Sequence, residues 1–166
     1  MYNHNDIVLL GPSELEKKLK RGLNPNFITG NWSSFLYDCV VKDTNFDRVR
    51  LLLRYGVDPN RPNIDGGGHQ FTRAIGVAIH NGSLDLLQLL LDNRVNPNLC
   101  CRMEPSWACP LDLCNDPKQL FLLLRYGAID CRYDKQMINQ VFIIIDIMLY
   151  SSIQKDWSIE IKSYLY

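Results

Sequence analysis

The sequence predicts an all-α solenoid of about four helix-turn-helix units, joined by β-turns and closed by a C-terminal helical cap. Three observations predict it. First, a cadence recurs. Leu51-Leu52-Leu53-Arg54-Tyr55-Gly56-Val57-Asp58-Pro59-Asn60 returns as Leu89-Leu90-Leu91-Asp92-Asn93-Arg94-Val95-Asn96-Pro97-Asn98, and again as Leu122-Leu123-Leu124-Arg125-Tyr126-Gly127-Ala128-Ile129-Asp130. A worn copy, Leu19-Lys20-Arg21-Gly22-Leu23-Asn24-Pro25-Asn26, lies upstream. Second, taking Gly22, Gly56, Arg94 and Gly127 as equivalent gives spacings of 34, 38 and 33 residues. A fixed period near 33 marks a stacked helical array. Third, apolar residues ahead of each copy fall three and four apart, which suits helices with one buried face.

The units fall at approximately 13–30, 31–65, 66–103 and 104–132, after a lead-in over 1–12 and before capping helices over 133–166. Each Leu triplet ends a helix. Gly follows because it takes the left-handed conformation without a side-chain clash. Asp-Pro-Asn or Asn-Pro-Asn comes next. Pro cannot continue a helix, and Asn bonds nearby backbone and favours turns. The first helix of the second unit is expected over 34–40. That of the third spans 72–80, with Asn81-Gly82 as its turn and a second helix over 83–91. The fourth opens at Cys109-Pro110-Leu111-Asp112-Leu113-Cys114 and turns abruptly at Asn115-Asp116-Pro117. Arg94 stands where the other units have Gly, so a side chain is expected at positive φ. The matched pairs Arg54-Tyr55 and Arg125-Tyr126 end the outer helices, where Tyr is expected to pack beside the turn.

The chain resembles the ankyrin-repeat family over roughly residues 13 to 131. The family pattern is T-P-L-H-x-A, a Gly turn, a Leu-rich second helix, then G-A-D and a β-turn. Pro110-Leu111 keeps its centre, Asn81-Gly82 the turn between helices, and Gly56-Val57-Asp58 and Gly127-Ala128 the turn after the second helix. No unit keeps Thr-Pro-Leu-His intact. The resemblance implies protein–protein recognition without catalysis. Cys39 and Cys114 fall where that family places a small buried Ala and read as apolar core. The chain has only four Ala against 14 Asn and 14 Ile. That bias fits an AT-rich viral or intracellular-bacterial source, and hence a host-directed effector in the host cytoplasm.

Composition bounds the alternatives. Eighteen basic and 18 acidic residues give zero formal net charge, and without a long basic run nucleic acid is a poor partner. Lys17, Lys18, Lys20 and Arg21 share their helix with Glu14 and Glu16 and read as a solvated face. No apolar stretch nears the roughly 20 residues a bilayer needs, so a soluble cytoplasmic chain without a membrane partner is expected. Six cysteines are present. Cys100, Cys101 and Cys109 flank one loop, which raises zinc with His69 or His80, but their spacing is no C-x-x-C pair. Thiols without metal or other cofactor are expected. Phosphate-loop, zinc-protease and serine-hydrolase motifs are missing. Gly66-Gly67-Gly68 reads as a lengthened finger, and nothing orients a Cys109–His80 dyad. No catalytic residue is assigned.

The repeat register exposes a candidate partner face. Trp32, Phe71 and Trp107 occupy one position in three successive units, where the family usually has Gly. The row reads either as packing between repeats or as anchors for a protein partner, since aromatic residues bury large areas with few rotors. Arg61, Asn63, Asp65, His69 and Gln70 on one finger, and Arg102, Met103 and Glu104 on the next, complete the face.

After Asp130 the pattern stops. Residues 134–150 read as a helix with a wide apolar face that something must cover. Residues 156–166, with Trp157, Ile161, Tyr164 and Leu165, supply that cover, because an open stack end exposes core. The alternatives are recruitment of a second complex, such as a ubiquitin ligase, and pairing in a dimer; a monomer is the expected state.

Overall fold

A computed structural model describes residue 7 and residues 9–29, 33–42, 46–63, 73–101 and 108–129. Seven helices lie among them: α1 (Pro12–Lys20), α2 (Phe35–Lys42), α3 (Asp47–Arg54), α4 (Ala74–His80), α5 (Leu84–Asp92), α6 (Pro110–Leu113) and α7 (Pro117–Arg125). The expected capping helices lie outside the described residues.

Local chemistry sets the boundaries. Pro12, Pro110 and Pro117 open their helices at first-turn positions, where a missing N–H costs nothing. Ser83 caps α5 by accepting from Leu86 N–H, and Asp116 caps α7 by accepting from Lys118 N–H. At the C-terminal ends, Gly22, Gly56 and Gly127 take φ of 93°, 79° and 81°. Arg94 takes φ of 65° at the equivalent position, as its place in the register required. Two bonds close each stop. In α3, Gly56 N–H donates to Leu53 C=O and Val57 N–H to Leu52 C=O. These satisfy carbonyls the helix leaves orphaned.

The helices stack in two rows. α2, α4 and α6 contact in series as an inner row; α1 packs on α3 and α5 on α7 in an outer row. Within units, α2 meets α3, α4 meets α5, and α6 meets α7. The first unit contributes only its outer helix, α1, among the described residues. One core runs along the stack. It includes Leu15, Leu52, Ile75, Ile79, Leu86, Leu87, Leu90 and Leu123, all fully buried. α4 is buried from Ala74 through Ile79, which fits a central helix covered on both flanks. Phe27 and Phe35 stack with ring centroids 4.5 Å apart, sealing the first unit to the second.

Phe46, before α3, also has positive φ, at 59°. Nothing in the residue type announced this. Its ring packs half-buried against the core, and that burial holds a backbone conformation bulky side chains otherwise avoid.

Candidate functional site

Between the helices the turns form a hydrogen-bonded ladder along one edge of the stack. The first polar residue of each Asx-Pro-Asn turn closes its own turn. Asn24, Asp58 and Asn96 each accept, through Oδ1 at 2.9 Å, from the N–H of Asn26, Asn60 and Asn98 respectively. The second Asn reaches to the next repeat and clips it at two points. Asn26 Oδ1 accepts from Asp58 N–H at 2.7 Å, and its Nδ2 donates to Gly56 C=O at 3.3 Å. Asn60 accepts from Asn96 N–H at 2.7 Å and donates to Arg94 C=O at 3.1 Å. Asn98 accepts from Ile129 N–H at 2.7 Å and donates to Gly127 C=O at 3.0 Å. Only a primary amide offers donor and acceptor side by side for this reading of a neighbouring backbone. The acceptor carbonyl belongs each time to the positive-φ residue, so helix stop and clip form one device.

Two arginines brace the ladder from the fingers. Arg61 Nη1 donates to Asn26 C=O at 2.5 Å. Arg73 donates through Nη1 to Asn60 C=O and through Nε to Cys100 C=O at 2.9 Å. Asn63, placed on the candidate face by its position on the finger, is instead buried at 5% exposure. Its Oδ1 accepts from Ser34 N–H at 3.0 Å. It fixes the entry to α2 and offers no contact surface. Arg61 is half-buried, with its guanidinium engaged at the finger base.

Trp32, Phe71 and Trp107 lie outside the described residues, as do Asp65, His69, Gln70, Arg102, Met103 and Glu104. The inner helices begin at Phe35, Ala74 and Pro110. Each of the three aromatic residues therefore precedes an inner helix by the same number of residues.

On the outer row, Tyr126 does more than pack beside its turn. Its hydroxyl donates to Asp92 and accepts from Gln88 Nε2 at 2.6 Å, tying α7 to α5. The hydrogen bond to Asp92 is the main reason its phenol pKa is raised. Gln119, buried to 0% exposure, donates through Nε2 to Ile79 C=O at 2.9 Å across the same boundary.

The cysteines divide by environment. Cys39 is fully buried in α2, as expected of a core residue. Cys114 is half-buried, with its thiol donating to Pro110 C=O at 3.4 Å. Burial pushes the thiols of Cys101 and Cys114 up to about 12. Cys100 and Cys109 are half-buried, with sulfurs 3.3 Å apart. Among the described residues no group of three His, Cys, Asp or Glu side chains is placed to hold a metal ion.

A family model for ankyrin repeats, described as occurring in many copies, matches residues 37–91. Over that span the chain is similar to ankyrin repeats. The matched span runs from α2 to the end of α5, covering the two units whose Leu runs and turns are least edited. Outside that span, the fourth unit has an inner helix of four residues. Among solved structures, the chain is similar to the crystal structure of the ankyrin repeat domain of Bcl-3, described as a unique member of the IkappaB protein family. The two share 21% identity with a TM-score of 0.55, over 66% of this chain and 45% of that one. The chain thus spans under half of that domain's length. No curated protein matches it. Among the described residues, no helix is long and apolar enough to cross a membrane.

The ankyrin register also shows what sequence reasoning missed. Asn26, Asn60 and Asn98 read as turn formers, yet their side chains serve the next repeat. The available signal was the second Asn of each Asx-Pro-Asn, since the first already closes the turn. In the fourth repeat the equivalent positions hold Ile129, Asp130 and Cys131. Both Asx residues and the Pro are gone, and Ile129 is 74% exposed.

Proposed function

We propose that this ankyrin stack is a non-catalytic recognition module that binds a protein partner through its finger loops and aromatic row. Ankyrin repeats generally mediate protein–protein interaction. The observation that carries the specific reading is the equal offset of Trp32, Phe71 and Trp107 from the starts of α2, α4 and α6. Side chains at one register position of a stacked array repeat along one edge. The clips made by Asn26, Asn60 and Asn98 tie each turn to the next repeat, which supports a regular spacing of successive units. A pre-spaced row of large aromatic residues suits an extended or helical partner, because little ordering cost remains to be met on binding. Asp65, His69, Gln70, Arg102, Met103 and Glu104 supply a polar rim, with Arg61 bracing the finger base.

The C-terminal residues 133–166 act as a cap in this reading. The loss of the Asx-Pro-Asn turn at Ile129, Asp130 and Cys131 supports it, since a further repeat would need a clip there. Recruitment of a second complex through these residues is the alternative that their deletion tests. The Ala-poor, Asn- and Ile-rich composition supports a host-directed effector working in the cytoplasm.

The test is a cross-linking pull-down with the intact chain and with Trp107→Ala. Removing an interface anchor should weaken capture about tenfold or more and move the melting temperature by less than about 2 °C. A large drop in melting temperature with unchanged capture would assign the row to packing between repeats.

A further inference from the structure

We propose that Cys100 and Cys109 form a reversible redox couple that closes to a disulfide across the base of the third finger. The pair is built by the fold. Arg73 Nε holds the Cys100 carbonyl at 2.9 Å. Cys101 N–H donates to Ala108 C=O at 2.9 Å, drawing the two arms of the finger together just inside the pair. Cys109 is fixed as the residue before α6, with its N–H donating to Asp112 Oδ2 at 2.7 Å. These restraints leave the two sulfurs 3.3 Å apart. A disulfide bond is about 2.05 Å long, so closure needs little more than 1 Å of movement.

The neighbouring thiols are poor competitors. Cys39 and Cys101 have no exposed surface. The Cys101 thiol points to Ala108 C=O and the Cys114 thiol to Pro110 C=O. Burial raises both thiols to about 12, which keeps them protonated at neutral pH. Cys100 and Cys109 are the described thiols that combine solvent access with a sulfur partner in reach.

The oxidant is hydrogen peroxide. One thiolate attacks a peroxide oxygen; the S–O bond forms, the O–O bond breaks, and the departing oxygen leaves as water after protonation. The second thiolate attacks that sulfur; the S–S bond forms, the S–O bond breaks, and a second water leaves. Two electrons pass from the sulfur pair to the peroxide. A thiol reductant reverses the closure.

The test treats the full chain with a small excess of hydrogen peroxide, then digests it with trypsin without reduction. Cleavage after Arg94, Arg102 and Lys118 releases peptides 95–102 and 103–118, which carry Cys100 with Cys101 and Cys109 with Cys114. The expected product is these two peptides joined with loss of two hydrogens, with fragmentation placing the bond between Cys100 and Cys109. The link should persist in the Cys101→Ala, Cys114→Ala double variant and vanish in Cys100→Ser and in Cys109→Ser. Oxidation should raise the melting temperature by roughly 5 °C, and dithiothreitol should abolish the gain. Fragmentation that places the bond on Cys101 or Cys114 overturns the proposal. So does peroxide treatment that yields sulfinic acids with no link between the peptides.

Discussion

Arg94 stands at φ 65°, where the neighbouring repeats place Gly. Its side chain is exposed, and what the fold uses there is its backbone: N–H to Leu91, C=O from Asn60. Gly preserves both bonds and removes the Cβ strain, worth about 1 kcal/mol. Arg94→Gly should therefore raise the melting temperature by roughly 3 °C in a calorimetric scan; a fall would show that the arginine side chain is itself holding the turn. Phe46 shares the conformation at φ 59° but not the outcome. Its ring is packed against the core, and losing even half of a buried aromatic costs more than the strain relieved. Phe46→Gly should lower the melting temperature. Asn60 tests the ladder at the same scale. Asn60→Ala removes two inter-repeat bonds and should cost about 2 kcal/mol in urea denaturation. Asn60→Asp keeps the acceptor for Asn96 N–H but sets a carboxylate against Arg94 C=O, so it should not recover the wild-type midpoint. Full recovery would mean the donor arm contributes nothing.

At the scale of elements, α7 carries a misfit that its sequence disguises. Gln119 sits where α5 has Leu86, fully buried in both cases. Its Nε2 bonds Ile79 C=O, but that carbonyl also accepts from Gly82 N–H at 3.0 Å. Its Oε1 is buried with no hydrogen-bond partner. Gln119→Leu therefore sheds an unsatisfied acceptor and orphans nothing, and should gain about 1 kcal/mol, read as a higher urea midpoint. The thiols of Cys101 and Cys114 give the pH dependence. Cys101 and Cys114 have folded pKa values raised from 9.0 to about 12. The unfolded chain thus releases these protons first, and stability present below pH 9 is lost as pH climbs towards 12. Urea midpoints under reducing conditions should fall between pH 8 and pH 10, and the Cys101→Ala, Cys114→Ala variant should flatten that fall. The helices and their stops were legible because their causes are local: Gly or Arg94 at positive φ, Pro at first turns, Leu runs facing inward. The clips of Asn26, Asn60 and Asn98 were not. An Asn side chain that bonds within its turn and one that bonds a residue some 30 positions on look identical in sequence. Asn63 misled for the same reason, since burial of a polar residue is decided by what packs over it.

At the scale of the molecule, the stack is held by interfaces between neighbours, so its stability is a sum along one axis and its ends are the weak points. The fourth repeat shows this weakness. In the third, Ile75, Val77 and Ala78 of α4 are exposed by 1%, 6% and 0%. The equivalent Leu111, Leu113 and Cys114 are only half-buried. The fourth turn also lacks the residues that make the clip, so nothing in it can hold a fifth repeat by the device the others share. If residues 133–166 cover this end, their removal should be felt first in α6 and α7 and should fade towards α2. Hydrogen exchange on a chain ending at Arg132 measures that gradient. The expected outcome is protection lost by at least tenfold in α7, progressively less change in α5 and α4, and light scattering that shows association through the uncovered apolar flank. A monomer with unchanged exchange in α7 would mean that the tail contributes nothing to the stack. If capture of the partner then failed as well, its role would lie in recruitment. The two functions separate cleanly here because capping acts on the last repeat whether or not a partner is present.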